Sequence, residues 1–214
     1  MLLELKQIDV PSGQRVLLKE VSWQMFESIL DELGNHRAAR LAYDNGTLEI
    51  MAPLVEHEDD KEIIGDLVKA LLEELNIEFR SLGSSTFKRQ DILKGVEPDQ
   101  CFYIQNEATI RGKRVIDLQT DPPPDLVIEI DITSDSRTRF YIYEALGVPE
   151  LWRYSRQLQI YQLQNGKYIE SSISPNFPQL SIVEVITEYV ESSKTAGRNS
   201  TLRNFRNWVR EQLN

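Results

Sequence analysis

Apolar positions recur along this chain in two rhythms, one helical and one strand-like, and their order sets the expected architecture. Between His57 and Leu75 the residues Ile63, Ile64, Leu67, Val68, Leu71, Leu72 and Leu75 return at spacings of three and four, the signature of a helix with one buried stripe. Extending the stripe backward brings His57 and Asp60 to the inward face and leaves Glu58 and Glu62 outside. An earlier helix is expected over Trp23 to Leu33, with Ser22 as N-cap and Gly34 as the stop. A last one, capped by Asn199 or Ser200, carries Leu202, Phe205, Trp208, Val209 and Leu213.

Strand-like runs fill the middle. Arg40 to Tyr43 and Thr47 to Met51 flank Asp44-Asn45-Gly46, a strong hairpin signal. Further strands are expected at Ile77 to Ser81, Ser85 to Arg89, Glu97 to Ile104 and Leu126 to Ile132. A helix opened by Ser136 or Thr138 runs through Tyr143 and Ala145 to a stop at Gly147 and Pro149. Strands at Glu150 to Tyr154 and Leu158 to Leu163 follow, and Asn165-Gly166 turns the chain into Lys167 to Ser172. Strands clustered centrally with helices on both sides predict one α/β (α+β) domain over residues 1–214, with a core at about 23–172 and a C-terminal helix at about 200–213.

Composition narrows the class. At 214 residues, 41% hydrophobic and 27% charged, the chain reads as an ordinary globular protein. Its single cysteine, Cys101, excludes an internal disulfide and suits a reducing cytoplasm, and its apolar surroundings mark it as a core residue. No apolar stretch reaches the length of a membrane span and no signal peptide is expected. The net charge of −10 argues against broad, non-specific attraction to nucleic acid, while leaving room for a local basic patch. Dense basic stretches occur at Lys88-Arg89, Arg111 to Arg114, Arg137 to Arg139 and in the C-terminal tail. Each alone reads as a solvated face, and the aromatic residues Phe140, Tyr141, Tyr143, Trp152 and Tyr154 read as packing against the sheet.

Three acids stand where acids are expensive. Asp99 ends Gly95-Val-Glu-Pro-Asp99 at the mouth of an apolar run, and Glu129 and Asp131 interrupt an aliphatic strand that begins after Pro122-Pro123-Pro124. Alternation puts Leu126, Ile128, Ile130 and Ile132 on one face and Asp125, Val127, Glu129 and Asp131 on the other. An Asp at one strand end facing an acid on the next strand supplies the oxygen ligands that a hard divalent cation takes. Asp99 and Glu129 are therefore candidate ligands of Mg²⁺ or Mn²⁺, with the Ile130 carbonyl completing the set and Asp131 in support. A cation from elsewhere is also needed, and Arg139, Lys88 and Lys61 are the candidates. Arginine cannot act as a base, but it orients phosphate bidentately. His57 and Asp60 either join this site or cap their helix.

Glu97-Pro-Asp-Gln-Cys-Phe-Tyr-Ile104, Pro124-Asp-Leu-Val-Ile-Glu-Ile-Asp-Ile-Thr-Ser134 and Ile142-Tyr-Glu-Ala-Leu-Gly-Val-Pro-Glu-Leu-Trp152 together resemble the Uma-two family of putative restriction endonucleases. Leu48 to Pro53 and His57-Glu58 fit its N-terminal half, so the resemblance covers Trp23 to Tyr154, with a looser match beyond. It implies a restriction-endonuclease-like fold with a PD-(D/E)XK site: a central mixed sheet flanked by helices, Mg²⁺ dependence, and hydrolysis of nucleic acid, DNA foremost. Asp99 then matches the first acid and Glu129 the second, while Arg139 takes the place of the family's helix-borne lysine. Three readings stand side by side: a metal-dependent endonuclease with Asp99, Glu129 and Arg139 as catalytic residues; a weakened nuclease fold that binds DNA or a protein; and acids that are structural, paired with Arg137 or Arg139. A homodimer is an expectation by analogy, since cutting two strands favours two sites.

Overall fold

The computed structural model describes residues 8–34, 39–132 and 136–213. In chain order its elements are β1 (Arg15–Leu18), α1 (Trp23–Leu33), β2 (Arg40–Asp44), β3 (Thr47–Met51), α2 (Val55–Glu74), β4 (Arg80–Ser81), β5 (Phe87–Arg89), β6 (Lys94–Val96), β7 (Gln100–Tyr103), α3 (Glu107–Ile110), β8 (Leu126–Ile130), α4 (Phe140–Leu146), β9 (Glu150–Tyr154), β10 (Leu158–Gln164), β11 (Lys167–Ser171), α5 (Ile182–Ala196) and α6 (Arg198–Gln212). They form two sheets. A five-stranded antiparallel sheet runs β1-β3-β2-β6-β5, and a six-stranded sheet runs β11-β10-β9-β8-β7-β4. The second is mixed, because β8 and β9 are parallel while its other pairs are antiparallel.

The alternation read along β8 becomes two cores. Leu126, Ile128 and Ile130 pack with Ile64, Leu67 and Leu71 of α2, and with Ile182, Ile186, Val190, Phe205 and Val209 of the C-terminal helices. Val127, on the opposite face, joins Ile142, Tyr143 and Leu146 of α4. A third core holds α1 on the smaller sheet, where Phe26 stacks on Tyr43 with ring centroids 4.6 Å apart. Phe140 meets Tyr161 edge-on at 4.8 Å and Trp152 meets Phe177 at 6.1 Å, so most of the aromatic residues after position 140 serve packing.

Several expectations change. The strand expected at Glu97 to Ile104 shortens to β7, Gln100–Tyr103, because the chain first crosses at Glu97-Pro98-Asp99 from β6 in the other sheet. Pro98 has no N–H for a ladder, which fits the break. The run from Ile77 shrinks to Arg80–Ser81, and α2 begins at Val55, ahead of His57. α6 starts after Gly197 rather than at Asn199 or Ser200. α4 is preceded by a 3₁₀ turn, Ser136–Arg139; the expected caps at Ser136 and Thr138 concern side chains outside the described residues.

Four elements, β1, β6, α3 and α5, had no counterpart in the sequence pattern as read. α5 is the instructive one. Its sequence, IVEVITEYVESSKTA, is rich in β-branched residues that favour strands. Yet Ile182, Val185, Ile186 and Val190 fall at helical spacing and bury on the mixed sheet, so tertiary packing overrides local preference.

Candidate active site

The register of β7 and β8 decides where the acids meet. Gln100 pairs with Ile128 and Cys101 with Val127. Asp99, the residue before Gln100, therefore comes to the end of this ladder beside Glu129, close enough for their charges to interact. Both side chains are fully buried, at 0% exposure. Asp99 Oδ2 accepts the Ile130 backbone N–H at 2.8 Å, which fixes the carboxylate against β8. Its other oxygen, Oδ1, is buried with no hydrogen-bond partner among the described residues.

Two cations compensate the acids. His57, on the first turn of α2, brings Nε2 to 3.0 Å from Asp99 Oδ2, and its Nδ1 lies 3.6 Å from Glu58. Neither ring nitrogen makes a well-directed hydrogen bond to a described residue, so these are charge contacts. Burial would push the His57 imidazolium down, but the Asp99 and Glu58 carboxylates outweigh it and raise it to about 9. Arg139 Nη2 donates to Glu129 Oε2 at 2.6 Å, and the Tyr143 hydroxyl donates to Glu129 Oε1. Arg139 and Tyr143 reach one carboxylate because residues four apart share a face where the 3₁₀ turn runs into α4.

Burial acts on the two acids with different outcomes. Burial, with the Asp99 and Asp131 charges, pushes the Glu129 carboxyl up to about 8 against the pull of Arg139. Burial works upward on Asp99 too, but His57, Arg139 and the Ile130 N–H together hold it below the ordinary aspartate range. A hard cation of the Mg²⁺ type is commonly held by one or two carboxylates plus waters and substrate phosphate. Neighbouring acids with an orphaned buried oxygen fit that demand, although among the described residues no third acid, histidine or cysteine joins them in a metal-sized cluster.

Arg139 lines a 340 Å³ pocket with Arg15, Lys19, Glu49 and Tyr141, while Glu97 and Arg40 line a larger one of 560 Å³.

Of the residues anticipated from sequence, Asp99, Glu129, Arg139 and His57 converge, and Ile130 meets them through its N–H rather than through the carbonyl expected as a ligand. Asp131 sits beside them, with its Oδ2 taking the Arg153 Nε–H at 2.5 Å, a partner that was not anticipated. Asp60 is buried as expected but faces Lys194 of α5 at 3.6 Å, because its place on the helix turns it toward the C-terminal helices. Lys88 is drawn to Glu27 of α1, and Lys61 to Glu58 one turn away, so neither supplies the site's cation. Tyr143 was missed as a site residue; its spacing from Arg139 was the available signal.

A family model described as "Uma2: Putative restriction endonuclease" matches residues 23–192. The fold resembles the crystal structure of a putative nuclease belonging to DUF820 from Anabaena variabilis, with a TM-score of 0.52 at 14% identity, covering 70% of this chain and 90% of that one. At that identity the likeness concerns the fold alone. No curated protein matches the chain.

Proposed function

The chain belongs to the Uma2 family of putative restriction endonucleases, and from that premise we propose that it is a Mg²⁺-dependent phosphodiesterase acting on nucleic acid. The observation that carries the reading is the neighbouring, fully buried pair Asp99 and Glu129 with the Asp99 Oδ1 oxygen left without a partner among the described residues. In this reading Asp99, Glu129 and the Ile130 carbonyl hold the ion. When bound, Mg²⁺ offsets charge on the transferring phosphoryl group and eases deprotonation of the attacking water.

The rest belongs to the protein's own groups. The Ile130 N–H keeps Asp99 from swinging away, since the carboxylate is tied to the backbone of the neighbouring strand. His57 closes the site on the Asp99 side and excludes water there. Arg139 cannot take a proton from water at any useful pH. Its planar guanidinium, now on Glu129, suits a phosphate oxygen instead. Tyr143 keeps Glu129 oriented if Arg139 turns to substrate.

Incubating plasmid DNA and a structured RNA with the protein and Mg²⁺ tests this, alongside Asp99→Ala and Glu129→Ala. Cleavage lost in both variants supports the assignment. Cleavage undiminished in both removes these residues from the site.

A second reading rests on the 2.6 Å Arg139–Glu129 contact. If that pair is permanent, the acids are structural and the chain is a nuclease fold kept for binding DNA or protein. Calorimetric titration with Mg²⁺ and Mn²⁺ separates the two: the enzyme reading requires binding that Glu129→Gln abolishes, and the structural reading requires none.

A further inference from the structure

Two basic stretches far apart in sequence come together in the fold. Lys88, from β5, and Arg114, from the loop after α3, line the same 560 Å³ pocket as Arg40 of β2 and Arg80 of β4. In a chain of net charge −10, such convergence on one concavity needs a reason.

The charges there are unevenly compensated: Lys88 is paired with Glu27 of α1, whereas Arg80 and Arg114 form no ion pair with a carboxylate among the described residues. Arg80 donates from Nη1 to the Ile110 carbonyl at 2.6 Å and from Nη2 to the Lys113 carbonyl at 2.7 Å. Carbonyls hold the guanidinium in place without cancelling its charge. Arg114 is exposed and makes no hydrogen bond or ion pair with a described residue. Arg40 reaches Glu58 only at 3.5 Å, and its buried Nε has no partner among the described residues. The one acid in the wall, Glu97, is turned inward: Oε2 takes the Leu41 N–H at 3.0 Å and Oε1 the Thr86 hydroxyl at 2.5 Å. Ser84 and Ser85 add hydroxyls to the wall. A pocket of separated cations suits a ligand with spaced, acceptor-only oxygens.

Its position says which ligand. Glu97 stands two residues before Asp99, at most about 7 Å along the chain. Arg40 leads through Glu58 and His57 to the same aspartate. We infer that this pocket grips the phosphodiester backbone of a nucleic-acid strand and leads it to Asp99 and Glu129. The inference rests on the nuclease reading for its choice of ligand, but it concerns binding and is tested without cleavage.

The test is fluorescence anisotropy of a labelled DNA duplex and its separated strand in EDTA, using the full chain, over a series of salt concentrations. Arg114→Glu is the main variant, because a side chain that is exposed and without a partner among the described residues is dispensable for folding. Lys88→Gln is the second, and Arg203→Glu, on the exposed side of α6, controls for net charge. The pocket predicts roughly tenfold weaker binding for Arg114→Glu and a salt dependence shallower by about one phosphate contact, with Arg203→Glu close to wild type. Excess inorganic phosphate should leave most of the probe bound, since a strand makes several contacts at once.

Equal losses in Arg114→Glu and Arg203→Glu would overturn the inference, as would complete displacement by phosphate or no binding by the wild type. A wild type that cleaves DNA while Arg114→Glu and Lys88→Gln bind normally overturns the pocket and leaves the nuclease reading standing. Binding lost in these variants but kept in Asp99→Asn supports the pocket even where no cleavage is detected.

Discussion

Asp99 Oδ2 accepts the Ile130 N–H at 2.8 Å, so a side chain at the crossing between the two sheets takes the place of a backbone acceptor one residue beyond Glu129. The same contact has a structural and a functional side, and two substitutions separate them. Asp99→Asn keeps an acceptor for Ile130 and removes the charge. It should hold stability within about 1 kcal/mol of wild type while lowering Mg²⁺-stimulated cleavage on the order of 10²-fold or more. Asp99→Ala strands a buried N–H and should cost a further ~1–3 kcal/mol in chemical denaturation. An Asn variant that cleaves normally, or is as unstable as the Ala variant, would contradict this division.

Arg139 gives a sharper test of metal binding. Removing it in Arg139→Ala leaves Glu129, at 0% exposure, with no opposing charge in direct contact, and breaking a buried pair this way costs roughly 3–5 kcal/mol. If the acids hold a divalent ion, Mg²⁺ should recover part of that loss, about 2.7 kcal/mol at a hundredfold excess over its Kd. The thermal midpoint of the variant should then rise with Mg²⁺ by more than that of wild type. A midpoint indifferent to Mg²⁺ would support the purely structural role of the pair.

Much of this architecture is legible in the sequence. Ser22 and Gly34 bracket α1 as their cap chemistry requires, with Ser22 accepting the Met25 N–H and Gly34 taking positive φ. Asn45-Gly46 places the β2–β3 hairpin, and the inward placement of His57 and Asp60 follows from the apolar stripe of α2. What stayed hidden depends on partners remote in sequence. Nothing local tells that Pro98 divides two sheets, that Asp60 turns to Lys194, or that Arg153 on β9 takes Asp131. The site acids were readable because a carboxylate inside an aliphatic strand is costly; the cations that answer them, coming from α2 and the turn before α4, were only partly readable.

Glu150 offers a pH signature distant from the candidate metal ligands. It is fully buried in β9, receives hydrogen bonds from Trp152 Nε1 at 2.5 Å and from Asn176 Nδ2 at 2.6 Å, and burial raises its carboxyl above the ordinary 4.5 despite them. The folded state thus binds this proton more tightly than the unfolded chain. The resulting stabilisation is complete below the ordinary value and is lost as pH rises through the higher folded one. Glu150→Gln lacks this slope, so wild-type stability minus variant stability should be largest in acid and shrink toward neutral pH. Parallel denaturation profiles across that range would show that the carboxyl is not shifted.

Gly95 tests the packing that sets the basic pocket's wall. It lies in β6 opposite Tyr43, and a Cβ there would come within 2.9 Å of Phe26 Cζ and 3.3 Å of Lys88 Cβ. Phe26 is 1% exposed and stacked on Tyr43, so the ring has no free volume to enter. Gly95→Ala should therefore cost ~1–3 kcal/mol as an overpacking change. Because the clash is with one ring, Phe26→Leu should be less damaging in the Gly95→Ala background than alone, giving a favourable coupling in a double-mutant cycle. Strictly additive effects would mean that α1 shifts as a body instead, and then the Glu27–Lys88 contact should weaken in Gly95→Ala as well.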